Sequence, residues 1–305
     1  MRGLMPSRRD ALALLLGGVS AAALPGWALA APSQPRIVAA GGAVTEMVYA
    51  LGAEHLLAAV DVTSLYPEAA RKLPSVGYMR TLSAEGVLAM VPTVLLATED
   101  AGPPAVLRQI AAAGVQLAVL PAHNRFDGML DRLGRIGELV QKPAEAAALA
   151  AKLREDWRAS EAQVAGHLAQ RQQRLGRPLR ALFVLSHSVS QVMVAGGETT
   201  AQAMLVYGGA LNAIQGFNGY KPLTPEAAIA AQPDLILATT QGLEAAGGVP
   251  GLLRLPGLAE TPAGRAKRVV ALEAQFLLGF GPRLPQAVRQ LDSAFTEALA
   301  GQTAA

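Results

Sequence analysis

Residues 77–98 read GYMRTLSAEGVLAMVPTVLLAT, and residues 219–239 read GYKPLTPEAAIAAQPDLILAT. From Leu82 and Leu223 onward the two run in register at an offset of 141 positions. Glu85 falls on Glu226, Leu88 on Ile229, Pro92 on Pro233, Leu95 on Ile236 and Ala97-Thr98 on Ala238-Thr239; one position of slippage upstream, Gly77-Tyr78 falls on Gly219-Tyr220. Solenoid units recur every ~20–50 residues, so a period this long is that of a small domain. The chain reads as two similar lobes, each with a tyrosine-bearing loop, an acidic helix and a buried strand.

Working outward from the first copy, strands are expected at 36–40, before Val60, at 94–97 and at 116–120, with helices over 44–51, 83–90 and 103–113 between them. The strands are uniformly apolar, as in a parallel sheet covered by helices on both faces. Ser83 offers its hydroxyl as a helix cap. Residues 126–140 are amphipathic, and 143–174 are rich in Ala, Leu, Glu, Gln and Arg, with no glycine before Gly166. That composition favours a long helix, read as a backbone that joins the lobes and limits their closure. The second lobe restarts with a strand at 181–185, a loop at 186–197, a helix over 200–207 and a loop at 212–222. After the second copy come a strand at 268–272, a loop at 273–282 and a helix over 284–300. The fold class is therefore α/β, with two similar lobes of mainly parallel sheet joined by a long connecting helix. The division is 1–30 leader, 31–140 N-terminal lobe, 141–176 connector and 177–305 C-terminal lobe.

The leader reads as an export signal. Arg2, Arg8 and Arg9 precede an apolar run from Ala11, and Ala28-Leu29-Ala30 places cleavage after Ala30. Ser7-Arg8-Arg9-Asp10-Ala11-Leu12 is a partial twin-arginine motif; a Sec-type signal fits the same residues. Gly17, Gly18, Pro25 and Gly26 interrupt a run too short to serve as a membrane anchor. Removing residues 1–30 takes Arg2, Arg8, Arg9 and Asp10 from 26 basic and 23 acidic side chains and lowers the net charge from +3 to +1. No basic stripe interleaved with aromatics remains for nucleic acid. The chain has no cysteine, which excludes disulfides and a lipid-anchored cysteine. A soluble, monomeric periplasmic protein is the expectation.

Two α/β lobes on one long helix, exported and free of cysteine, resemble the periplasmic substrate-binding proteins of metal-chelate ABC importers, which carry siderophores, cobalamin or haem. Within that class the resemblance is to the haem-binding proteins of bacterial haem importers. It rests on GGAVTEMVYALGA at 41–53, VGYMRTLSAEG at 76–86, LFVLSH at 182–187, YKPLTPEA at 220–227, PGLAETPAG at 256–264 and LLGFGPRLP at 277–285. It covers nearly all of residues 36–298.

The resemblance implies a ligand held in the cleft between the lobes, ferric haem b as that transported ligand, and Tyr78 as an axial ligand of the iron. A phenolate is a hard oxygen donor that haem proteins use axially, and a bound cation favours that form. It implies His187 as the second axial ligand, although Ser188-Val189 stands where family members with that ligand carry Gly-Gly. Arg80 is a partner for the phenolate or a haem propionate, Tyr220 a propionate donor, and Lys221 and Arg283 further propionate candidates. Glu85 and Glu226 are placed to dock the loaded protein on arginines of the inner-membrane permease, which works with its ATPase subunits downstream of an outer-membrane haem receptor. Each residue also has an ordinary reading. Tyr78 can be a loop tyrosine with a solvated hydroxyl, Tyr220 a packing residue, and Glu85 and Glu226 first-turn carboxylates that suit a helix dipole. His55, His123 and His167 are read as surface or packing residues, with His167 solvated on the connector.

Cobalamin or a ferric siderophore on the same fold is the nearest alternative. Siderophore clefts carry several Arg or Trp, whereas Trp157 lies in the connector and Trp27 in the leader. An exported α/β enzyme is the different-class rival. It lacks a Gly-x-Ser-x-Gly elbow, a phosphate loop and zinc-ligand spacing, and Ser186-His187 would point to opposite faces of a strand.

Overall fold

The computed structural model describes residues 34–188 and 191–301, the side chains of 187–191 excepted. The leader and its cleavage site lie outside the described residues. The first lobe is built on strands β1 (Ile37–Ala40), β2 (Leu57–Val60), β3 (Val94–Thr98) and β4 (Gln116–Leu120), all parallel in the order β2-β1-β3-β4. Its helices are α1 (Gly42–Ala50), α2 (Ala84–Leu88), α3 (Pro104–Ala112) and α4 (Phe126–Leu139). A 33-residue helix, α5 (Pro143–Leu175), follows and ends at Gly176 in the left-handed conformation (φ 68°).

The second lobe carries β5 (Arg180–Ser188), β6 (Gln191–Ala195), β7 (Leu211–Asn212), β8 (Tyr220–Pro222), β9 (Leu235–Thr239) and β10 (Val269–Leu272). Its order is β10-β9-β5-β6-β8, with β7 also on β5. Strands β7, β5, β9 and β10 pair in parallel and repeat the order of the first sheet. The hairpin strand β6 and then β8 extend it antiparallel. Here the structure corrects the sequence reading, which left 186–197 and 212–222 as loops. The apolar run Val192-Met193-Val194-Ala195 is a strand whose Val194 and Ala195 are buried. The remaining helices are α6 (Thr200–Tyr207), α7 (Pro225–Ala231), α8 (Thr240–Ala245), α9 (Gly248–Leu253), α10 (Pro262–Arg265), α11 (Ala274–Leu278) and α12 (Leu284–Ala300). Helix α11 occupies half of the segment read as a loop at 273–282.

The internal repeat holds down to its caps. Ser83 Oγ accepts from Gly86 N, and 141 positions later Thr224 Oγ1 accepts from Ala227 N, both at 3.2 Å. Gly77 and Gly219 share positive φ (85° and 77°), and so do Val91 and Gln232 (49° and 42°).

Alternation along the strands sends side chains to two faces. Ile37 and Ala39 of β1 join Leu235 and Leu237 of β9 in one apolar cluster that includes α1, α4, α5, α6 and α12. Val38 and Ala40 face a second cluster in the first lobe, and Ile236 a third in the second. The shared cluster spans both lobes, and the described residues from Pro35 onward form one compact unit. Helix α5 packs on α4 of the first lobe and α12 of the second. Trp157 of α5 stacks on Phe126 (centroids 4.5 Å apart) and meets Tyr207 edge-on (4.8 Å). Further along, buried Asp292 of α12 accepts from Gln163 and pairs with His167 (2.6 Å) and Arg171 (2.9 Å). His167 is therefore half-buried and partnered, not solvated as its place on a polar helix suggested. Among the described residues no helix is long and apolar enough to cross a membrane.

Candidate functional site

Ligands of open parallel sheets bind beyond the carboxyl ends of the strands, and the Tyr78 loop stands at that edge of the first sheet. Gly77 turns the chain with φ 85°, Tyr78 is extended, and a single turn at Met79–Thr81 is closed by Thr81 N donating to Tyr78 O at 2.9 Å. Gly102 N donates to Met79 O (3.0 Å) and Leu82 N to Gly102 O (2.8 Å), fastening the turn to the loop that leaves β3. Arg80 Nη2 pairs with Asp100 Oδ2 of that loop at 3.1 Å, both side chains about half exposed. The Tyr78 side chain is 43% exposed, an aromatic group on a fixed backbone and open to a ligand.

Tyr220 opens β8 in the other lobe. Its ring lies 6.5 Å from that of Phe183. Burial raises the phenol pKa above its usual value; the Thr200 side chain at the start of α6 and the charge of Arg80 oppose the rise. Arg80 thus acts on Tyr220 from the opposite lobe, and at neutral pH Tyr220 remains a protonated donor. Lys221 Nζ sits 4.8 Å above the Phe217 ring.

Arg283 is engaged elsewhere in the seam between the lobes. Its Nη2 donates to Glu46 Oε2 at 2.9 Å, its Nε and backbone N to Oε1 at 3.1 Å, and its guanidinium lies 3.6 Å over the Tyr66 ring. His187 falls within β5, at the register shift between Ser186 and Ser188 of the β5–β6 hairpin, not past the end of a strand. Bulges of this kind bend a strand and re-aim its side chains; the His187 side chain itself lies outside the described residues. Glu85 and Glu226 are exposed in the first turns of α2 and α7. His55 and His123 are exposed. Among the described residues no group of three or more His, Cys, Asp or Glu is placed to hold a bare metal ion.

Sequence reasoning missed the polar residues beneath these loops. Asp61, 2% exposed, accepts from Gly41 N, Thr63 N and the hydroxyls of Thr63 and Ser64. Its signal was an Asp at a strand end before Thr and Ser, a common turn arrangement. Arg132, 3% exposed, lies on the apolar stripe of α4 with Met129, Leu133 and Ile136, where a charge is out of place. It donates to Pro121 O (3.0 Å) and, across the seam, to Phe280 O (2.9 Å). Burial lowers its pKa to about 10, against the opposing charge of Asp100. Gln275 had no sequence signal beyond its place after Glu273.

Residues 37–276 match the family model described as periplasmic binding protein. The periplasmic heme-binding protein BhuT, solved in complex with two hemes, is 42% identical, with a TM-score of 0.80 over 87% of this chain and 99% of that one. The periplasmic heme-binding protein RhuT from Roseiflexus sp. RS-1, solved in apo form, is 39% identical, with a TM-score of 0.81 over 87% and 99%. A vitamin B12-binding protein from Yersinia pseudotuberculosis is 31% identical over 154 residues, 50% of this chain and 51% of that protein. The chain spans about half the length of the curated relatives it matches.

Proposed function

The chain belongs to the periplasmic binding protein family, and on that premise we propose that it captures ferric haem between its lobes and delivers it to an inner-membrane ABC permease. The observation that carries this reading is the Tyr78 turn: an exposed phenol on a backbone held by two hydrogen bonds, with Arg80 beside it and the protonated Tyr220 opposite. A phenolate is a hard donor for ferric iron. With no cluster of metal-binding side chains among the described residues, one protein oxygen suits an iron that arrives already chelated. The solved heme-binding relatives, matched over nearly their whole length, support the choice of haem.

In this reading Tyr78 ligates the iron and His187 takes the other face. Arg80 faces the phenolate or a propionate, Tyr220 donates to a propionate, and Lys221 lies at the rim. Arg283 reaches a propionate only by giving up Glu46. The protein works in the periplasm after losing residues 1–30, binds without chemical turnover, and docks through Glu85 and Glu226. The half-length match to vitamin B12-binding proteins favours cobalamin as the second reading.

The test is a hemin titration of the mature protein beside Tyr78→Ala and His187→Ala, with cobalamin as competitor. Haem capture predicts a saturable ferric spectrum that Tyr78→Ala abolishes or badly weakens, while His187→Ala changes the spin state. A wild-type protein that ignores hemin and saturates with cobalamin overturns it.

A further inference from the structure

The segment 61–66 lies between the tyrosine loop and the opposite lobe, and both grip it. On one side Val60 N donates to Pro74 O, Val76 N to Val60 O and Val62 N to Gly77 O, each at 2.9 Å. The chain reaching Tyr78 is therefore zipped to residues 60–62. Beneath the segment, the Asp61 carboxylate fixes the turn to Gly41 at the head of α1, and Thr63 Oγ1 accepts from Gly42 N at 2.9 Å. On the other side Gln275 of α11, 8% exposed, uses its amide in four directions. Its Oε1 accepts from Leu65 N (2.7 Å) and Tyr66 N (2.9 Å), and its Nε2 donates to Gly42 O (2.9 Å) and Glu46 Oε2 (3.3 Å). The fit leaves no space for a side chain at residue 42, where a Cβ would meet Thr63 O and the Gln275 amide. Gln275 is itself fixed, since Glu273 accepts from Gln275 N and Phe276 N at 2.8 Å.

We propose that Gln275 is a positioning residue for Tyr78, acting from the other lobe through the backbone of residues 61–66. The proposal rests on haem capture with Tyr78 as ligand and extends it. The phenol's placement is set by the junction of the two lobes as well as by its own loop. An amide that fills both acceptor and both donor directions holds a backbone in one place, and a ligand bond to iron is sensitive to such placement. An apolar residue of similar length takes the shared acceptor from the Leu65 and Tyr66 N–H groups, leaving Leu65 N only Thr63 O, and frees the segment zipped to Gly77.

The experiment compares hemin with metal-free protoporphyrin IX, which has the same ring and propionates but no iron for Tyr78. Gln275→Met is expected to bind hemin about tenfold more weakly, with an altered phenolate-to-iron charge-transfer band, and to bind protoporphyrin IX as wild type does. Asp61→Asn loosens the same segment without touching the other lobe and is expected to give the same signature, so the test survives if one variant fails to fold. Equal weakening for both porphyrins, or unchanged hemin affinity and band in a folded variant, overturns the proposal. A wild-type protein that does not saturate with hemin overturns the haem reading itself, a separate outcome.

Discussion

Arg283 and Glu46, 237 positions apart, form a two-point ion pair across the lobes, with Nη2 on Oε2 at 2.9 Å and Nε on Oε1 at 3.1 Å. The glutamate is nearly buried and the arginine about a fifth exposed. Removing one member of a buried pair strands the other's charge and costs about 3–5 kcal/mol. The partial exposure here lowers the expected loss for Arg283→Met to about 2–3 kcal/mol, read from urea unfolding. Glu46→Gln combined with Arg283→Met should recover part of it, because no uncompensated charge remains. If the single and double variants lose the same stability, the pair does not join the lobes as described.

Val91 and Gln232 hold the left-handed conformation at equivalent places in the two copies, just before β3 and β9. That conformation costs a residue with a Cβ about 1 kcal/mol or more, and the cost is higher for a branched side chain. Val91 is 72% exposed and buries little surface in compensation. Val91→Gly should therefore raise the melting temperature by a few degrees, and Gln232→Gly by less. A drop in both would show that the side chains contribute contacts that outweigh the backbone strain.

This pair also shows how much of the molecule its sequence reveals. The repeat predicted the duplicated tyrosine loop, acidic helix and buried strand because each is local: a glycine before a tyrosine, a carboxylate in a first turn, an apolar run; the second cap, on Thr224, came only with the structure. The 33-residue helix was legible from composition, and α12 from its periodicity. The β5–β6 hairpin was not read, because the polar stretch 186–191 looked like a loop and masked the apolar strand after it. Within the site, Tyr78, Arg80, Tyr220, Glu85 and Glu226 were named from motifs, and the structure places Arg80 and Tyr220 within electrostatic reach of each other. Asp61, Glu46, Arg132 and Gln275 were not, because their partners lie in distant sequence or are backbone atoms. A carbonyl acceptor leaves no trace in a residue string.

Burial raises the phenol pKa of both Tyr207 and Tyr220. A group whose folded pKa lies above its unfolded value, about 10 for tyrosine, contributes stability that is complete below that pH. The contribution is lost as pH rises through the folded value. Thermal stability should thus fall above about pH 10, and Tyr220→Phe should flatten that fall. An identical alkaline profile in Tyr220→Phe would show that this phenol does not drive the loss.

Trp157 is the single tryptophan left once the leader with Trp27 is removed. It stacks on Phe126 between the lobes. Its emission should quench saturably as hemin fills the cleft, with the same midpoint as the absorption change. Quenching that stays linear with hemin concentration would mean absorption by free hemin, not capture.

Glu85 and Glu226 sit exposed at the starts of matching helices and are free of ion pairs among the described residues. Changing either to Lys should leave hemin binding intact and sharply reduce stimulation of the permease's ATPase, with the double variant inactive. Rim charges act chiefly on encounter and orientation, and salt screens exposed charges, so the difference from wild type should shrink with added salt. Full stimulation by the double variant would remove these residues from docking.

The 33-residue helix α5 is about 50 Å long at 1.5 Å per residue. Its first half leans on the first lobe, with Ala146 against Gly137 and Trp157 on Phe126, and its second half on the second, with Ser160 on Pro285 O and Gln163 on Asp292. Neither lobe can melt without freeing a face of a helix that its neighbour uses as a wall. Their local opening reactions are therefore tied together, and amide exchange in the central strands of both sheets should follow one shared unfolding event. A protein that must stay intact while open to solvent between its halves thereby lets neither half come apart alone.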